Sequence, residues 1–246
     1  MIRKFSQKVK KGWAEVALLS VEMIVIIIVF ILAFLGFIFI YRNVFVLKNE
    51  AFDYRVFSLL EGHVTERKNA IVLFFTFLGS HWFLIPANLV LIVYFLFIKK
   101  HRWNSIKIPV IAISSMLLMF LLKQIFGRQR PDIPLLREAH GLSFPSGHAL
   151  MSVTFYGLLI YLVWEYVSHR FLKWLLMVLL VLLILMIGFT RIYLRVHYPS
   201  DVFAGFAMGF VWLVISLFVL RRIEKFSRKK VVQDVVENPA VEIPRK

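Results

Sequence analysis

Apolar runs long enough to cross a lipid bilayer recur along this chain and limit what it can become. From about Ala14 to Tyr41 the sequence is almost unbroken aliphatic and aromatic side chain, and similar runs follow at intervals. A helix needs about 20 predominantly apolar residues to cross the hydrocarbon core. Six spans fit these runs, near residues 16–41, 70–98, 106–126, 148–167, 171–190 and 201–221. The 60% hydrophobic content and mean hydropathy of +0.79 exclude a soluble domain, which could not hide that much apolar surface. The second run is long for one span and short for two, and Gly79 and Pro86 inside it offer a kink. Residues 48–68 place Phe52, Val56, Leu59 and Leu60 among charges, as in an amphipathic helix lying at the interface. The expected fold is all-α: an integral membrane six-helix bundle with an interfacial amphipathic helix between the first and second spans. Residues 1–15 form a basic N-terminus, 16–221 the six-span domain and 222–246 a charged tail expected to be disordered.

The net charge of +16 raises nucleic acid as a partner, but its placement excludes that. The basic residues gather at the ends of apolar runs rather than on a polar face interleaved with aromatics. With the N-terminus inside, the inside segments carry 19 of the 30 Lys and Arg and the outside segments 11. Both termini are therefore expected in the cytoplasm. The first run is too long for a signal-peptide core and lacks a small-residue cleavage site, so it reads as an uncleaved span. Arg228, Lys229 and Lys230 fit positive-inside anchoring better than a dedicated anionic-lipid site. Gly205 and Gly209 form a small-xxx-small pair suited to close helix packing within the bundle. The absence of cysteine excludes disulfides, thiolate metal sites and cysteine nucleophiles.

Three polar clusters interrupt the apolar pattern. The first runs from Lys123 to Arg130-Pro131, the second is Pro145-Ser146-Gly147-His148, and the third holds Thr190-Arg191, His197 and Asp201. The six-span layout brings all three to the outer face, although they are far apart in sequence. Lys123, Arg130 and Arg191 supply three cations, and arginine's planar fork matches phosphate oxygens. Ser146 is suited to cap the helix that begins span four. The free N–H groups there, with Gly147 allowing close approach, make an anion site. Phosphoryl transfer needs such donors around the equator of its transition state, with a nucleophile and a general acid at opposite poles. His148 and His197 can serve the poles. Asp201, four residues after His197 and in the first turn of a helix opened by Pro199, is the carboxylate placed to fix a tautomer.

These residues resemble the signature of the type 2 phosphatidic acid phosphatase superfamily, Lys-x6-Arg-Pro, then Pro-Ser-Gly-His, then Ser-Arg-x5-His-x3-Asp. The resemblance implies that His197 attacks phosphorus to form a phosphohistidine, that Asp201 orients it, and that His148 protonates the leaving group and then activates water. It implies phosphate binding by Lys123, Arg130, Ser146, Gly147 and Arg191, and neither metal nor cofactor. Thr190 stands where serine is usual and keeps the hydroxyl. Arg195 stands where many relatives carry glycine, as either an extra cation near the site or a surface arginine facing headgroups. Arg128, Arg137 and Asp132 read as loop charges, with Asp132 paired to a neighbouring arginine. His63, His101 and His169 read as structural or solvated, and His81 and His140 as outside-facing. The implied partner is a phosphorylated lipid at the outer leaflet of a bacterial cytoplasmic membrane. Undecaprenyl diphosphate, phosphatidate, phosphatidylglycerophosphate and lipid A-type glycolipids are the classes considered. A phosphotransferase using an acceptor other than water, and a non-catalytic lipid binder or transporter, are the competing readings.

Overall fold

The computed structural model describes residues 21–61, 66–132, 134–135 and 139–237, with side chains from 23 to 61, 69 to 132, 134–135 and 139 to 228. The basic cluster at residues 3–11, the start of the first span, His63, Arg137 and residues 238–246 lie outside these. The described residues form eight helices and no strand. They are α1 (Val21–Tyr41), α2 (Ala51–Glu61), α3 (Glu66–Leu78), α4 (His81–Val93), α5 (Arg102–Phe126), α6 (Gly147–Tyr166), α7 (Arg170–Tyr193) and α8 (Pro199–Glu237). Single π-helical turns, Arg42–Val46 and Tyr94–Ile98, extend α1 and α4. Six segments are long and apolar enough to cross a membrane: Met23–Val46, His81–Ile98, Arg102–Phe126, Gly147–Tyr166, Arg170–Tyr193 and Pro199–Arg228. Helices suit them because lipid offers the backbone no partners and a helix satisfies its own.

The run at 70–98 is two helices. Gly79 and Ser80 close α3 through bonds to the carbonyls of Thr76 and Phe77, and only the second piece has spanning length. Only the short Gly79-Ser80-His81 step interrupts the apolar run at this corner. A Cβ on Gly79 would stand 2.4 Å from Ile187 Cγ2 and 3.2 Å from His148 Cδ2. Glycine therefore lets the corner press against α7 and the start of α6. Pro86 stays inside α4 without ending it.

The central helix is α6. It packs against α8, α7 and α5, while α1 packs against α8 and α3 against α7. Ile108 and Ile111 of α5 meet Leu158 and Leu162 of α6 and Leu213 and Leu220 of α8. Gly205 and Gly209 bring α8 onto the α6 backbone, as expected of small residues where helices approach closely. At the end of α5 opposite Lys123, the buried Lys107 pairs with Glu224 of α8 at 2.7 Å. Residues 222–237 continue α8 as helix where a disordered tail was expected. Their Glu, Lys and Arg residues are good helix formers, Arg228 bonds Glu224 one turn back at 2.7 Å, and no proline intervenes before Pro239.

Residues 51–61 of the amphipathic segment form α2, which turns one stripe into the bundle. Phe52 and Leu59 point outward, while Asp53, Val56, Phe57 and Leu60 turn towards the bundle at helical spacing. A carboxylate, 1% exposed, thus sits on the inner stripe.

Candidate active site

All three clusters meet at one end of the bundle. Lys123 lies in the last turn of α5, and Gly127 caps that helix with a left-handed φ of 60°. The turn sends residues 128–131 back across the bundle end. Lys123 Nζ donates to the carbonyl of Leu142. Ser146 takes the N-cap position of α6, and its N–H donates to the carbonyl of Asp201 at 3.0 Å, tying α6 to the first turn of α8. Its hydroxyl does not cap the helix as expected. Thr190 and Arg191 end α7 against α3, where Arg191 Nη1 donates to Thr76 Oγ1 at 2.6 Å and Thr190 Oγ1 lies 3.0 Å from the same atom. The N–H groups of Val196 and His197 then fold back onto the carbonyl of Arg191.

His197 is 2% exposed. Arg130 Nη1 lies 3.2 Å from its Nε2, and Ser143 Oγ lies 3.2 Å from its Nδ1. A guanidinium can only donate, so Nε2 holds a lone pair and Nδ1 carries the proton. Burial first, then Arg130, Arg191 and Lys123, keeps this imidazole well below its ordinary pKa, hence neutral. The Asp201 carboxylate does not grip Nδ1 directly. Its Oδ2 stands 3.6 Å away, and the Ser143 hydroxyl bridges the two, donating to Oδ2. Tyr198 N–H donates to the same oxygen at 3.0 Å. His148 sits in the first turn of α6, and its ring takes no hydrogen bond among the described residues, so both nitrogens are available.

Two buried side-chain polar atoms lack a partner among the described residues: the hydroxyl of Ser146 and Nε of Arg191. Native interiors rarely leave such donors unpaired. Both belong to residues read from the sequence as phosphate ligands, and both sit beside His197 and the open N-terminus of α6.

A cavity of about 190 Å³ opens beside Arg130, lined also by Asp132, His140 and Arg195. Arg195 lines this cavity and pairs with the exposed Glu61 at 3.3 Å. Its φ of 53° is left-handed, a conformation that glycine adopts without cost. Asp132 has no ion-pair partner among the described residues, contrary to expectation.

The largest departure concerns Arg128. Read as a loop charge, it is 8% exposed and donates to Asp201 Oδ1 at 2.7 Å, to Ser200 Oγ at 2.7 Å and to Asp53 Oδ2 at 2.9 Å. Ser143, Asp53 and Thr76 were likewise not singled out. Asp53 carried one faint signal, an acidic residue at apolar spacing with Val56, Phe57 and Leu60.

Residues 104–224 match the PAP2 superfamily. A phosphatidylglycerophosphatase B from Bacillus subtilis is 27% identical over 65% of this chain and 79% of its own length. An undecaprenyl-diphosphatase from Sulfolobus acidocaldarius is 24% identical over 66% of this chain and 75% of its own. The crystal structure of a transmembrane PAP2-type phosphatidylglycerolphosphate phosphatase from Bacillus subtilis superposes with a TM-score of 0.70. It covers 80% of this chain and 96% of that one at 23% identity. Residues 104–224 thus carry the PAP2 superfamily match, and the chain is an integral membrane protein.

Proposed function

We propose that this protein is a membrane lipid phosphatase that works through a phosphohistidine at His197. The unpaired Ser146 hydroxyl and Arg191 Nε carry this reading, because a phosphate seated there would satisfy both. Lys123, Arg130, Arg191, Ser146 and the N–H of Gly147 would surround its oxygens. The neutral Nε2 of His197 attacks phosphorus, and an N–P bond forms as the P–O bond to the lipid breaks. His148 gives its proton to the leaving oxygen. The Nδ1 proton stays on the ring, and the charge that develops there is balanced by Asp201 through Ser143. Water then attacks phosphorus as His148 takes its proton, and inorganic phosphate leaves as the N–P bond breaks.

The relatives' names span phosphatidylglycerophosphate and undecaprenyl diphosphate, which supports a lipid bearing a terminal phosphate or diphosphate. The charge bias of the connecting segments favours cytoplasmic termini and a site at the outer leaflet. The test is phosphate release from phosphorylated lipids by detergent-solubilised protein without added metal, beside His197→Ala. Equal release by both proteins refutes the nucleophile, and no release from any phospholipid or isoprenyl diphosphate refutes the function. Vanadate should inhibit the wild type and bind His197→Ala weakly.

A further inference from the structure

Of the buried cluster joining Arg128, Asp53, Ser200 and Asp201, only Asp201 has a part in the chemistry above. It draws on three separate pieces of chain. Arg128 follows α5, Asp53 comes from α2, and Ser200 and Asp201 open α8. Both Nη atoms of Arg128 and every side-chain oxygen of Asp53, Ser200 and Asp201 have partners. Asp53 Oδ1 accepts Ser200 N–H at 2.8 Å, and Oδ2 accepts Ser200 Oγ at 2.7 Å and Arg128 Nη2. Arg128 Nη1 reaches Asp201 Oδ1, Nη2 also reaches Glu50 at 3.2 Å, and the guanidinium lies 3.9 Å from the centre of the Tyr198 ring.

We infer that Arg128 is a positioning residue for catalysis, and that Asp53 of α2 holds it in place, so that the two fix the carboxylate of Asp201 for His197. The division of labour on Asp201 supports this. Oδ1 is taken by Arg128, while Oδ2 is left to Ser143, Tyr198 N–H and, through Ser143, His197. A fully buried carboxylate needs a paired cation to stay charged. The other cations near Asp201 are Lys123 and Arg130, and both are directed elsewhere. Lys123 donates to Leu142 O, and Arg130 spans Val196 O, Gly141 O and His197. Arg128 alone among the described cations bonds the carboxylate. Asp53 plays two parts. It accepts the N–H of the second residue of α8, as a cap supplied from a distant helix. It also holds the second arm of the Arg128 fork, so the first arm has one direction to point. Burial alone would lower the guanidinium's pKa, but Asp201 and Asp53 reverse that and raise it, as a mutually satisfied pair requires.

This inference rests on the phosphohistidine reading, and a double-mutant cycle in a lipid-phosphate assay separates the two. In the wild-type background Arg128→Gln should lower kcat roughly 10- to 100-fold, as loss of an outer-shell partner does, with KM changed less than about threefold. Arg128→Lys, which keeps the charge but cannot fork, should recover part of the loss. Asp53→Asn should lower kcat by a smaller factor. Asp201→Asn should retain a residual turnover measurable with radiolabelled lipid, as asparagine variants of triads do. In that background Arg128→Gln and Asp53→Asn should each cost less than about threefold, because the group they act through is gone. Losses that multiply with Asp201→Asn, or an effect confined to KM, overturn the inference. If Arg128→Gln does not yield folded protein, the Arg128→Lys and Asp53→Asn arms decide by the same criterion. A fully active His197→Ala would sink the underlying reading instead.

Discussion

Replacing Gly205 by alanine is the smallest change that should separate the two halves of the site. A Cβ there would lie 2.7 Å from the carbonyl oxygen of Ser146 and 2.9 Å from Ala149 Cβ. Ordinary contact begins at 3.4 Å, so α8 must retreat from the start of α6 by about 0.7 Å. Neither neighbour is a flexible side-chain end, so no rotamer change relieves the clash. Gly205 lies one turn beyond Asp201, whose carbonyl holds the N–H of Ser146 at 3.0 Å. The retreat therefore draws His197 and Asp201 away from the anion site on α6. Overpacking of this kind costs roughly 1–3 kcal/mol of stability. A displacement approaching 1 Å at reacting groups costs up to about 10²-fold in rate, so kcat should fall roughly 10- to 100-fold. Gly209→Ala is the control. Its Cβ would meet Leu150 O at 2.8 Å and Val153 Cβ at 3.0 Å, a similar clash one turn deeper in the bundle. It should lose similar stability but less than about threefold in kcat. The assay is phosphate release at saturating lipid, normalised to monodisperse protein, beside thermal unfolding in the same detergent. Equal kcat losses in the two variants at equal folded fraction would refute the reasoning, as would wild-type kcat in Gly205→Ala.

Ser146→Ala should dissociate activity from stability. The hydroxyl is buried without a partner, so its removal should leave the unfolding temperature unchanged or slightly raised, while a phosphate loses a donor worth about 1–3 kcal/mol, or roughly 10- to 100-fold in kcat/KM. A variant that is destabilised but fully active would contradict the anion-site reading. His197 should also leave a mark on acid stability. Its folded pKa lies well below the ordinary 6.5, so the unfolded chain takes up a proton that the folded chain refuses. Its stabilising contribution is therefore complete above about pH 6.5 and is lost as the pH falls from there towards the folded value. Thermal unfolding between pH 7.5 and 5 should fall less steeply in His197→Gln than in wild type, and identical slopes would remove the basis for a neutral imidazole.

The legible parts of this protein are those that local chemistry decides. Lipid makes span existence depend on apolar length alone, so the six runs could be counted without a structure. Lys123, Ser146, Arg191, His197 and Asp201 sit at helix ends, where fixed spacing to a cap, a proline or a glycine determines which way the side chain faces. The rest depended on partners far away in sequence. Hydropathy sums side chains and is blind to the φ and ψ at Ser80 that divide the 70–98 run. Arg128 resembles any loop arginine until Asp53, 75 residues earlier, is known to meet it. Asp53 itself resembles a solvated helix charge until α2 is seen to turn it inward. Even so, one clue lay within the first motif. Gly127 ends α5, and Arg128 and Arg130 follow directly after that cap. They divide the catalytic pair, one bonding Asp201 and the other facing His197 Nε2. An Arg-x-Arg step leaving a helix cap beside a His-x3-Asp turn places two guanidiniums within reach of two different acceptors. The first arginine of such a pair is therefore better read as part of the site than as a spare charge.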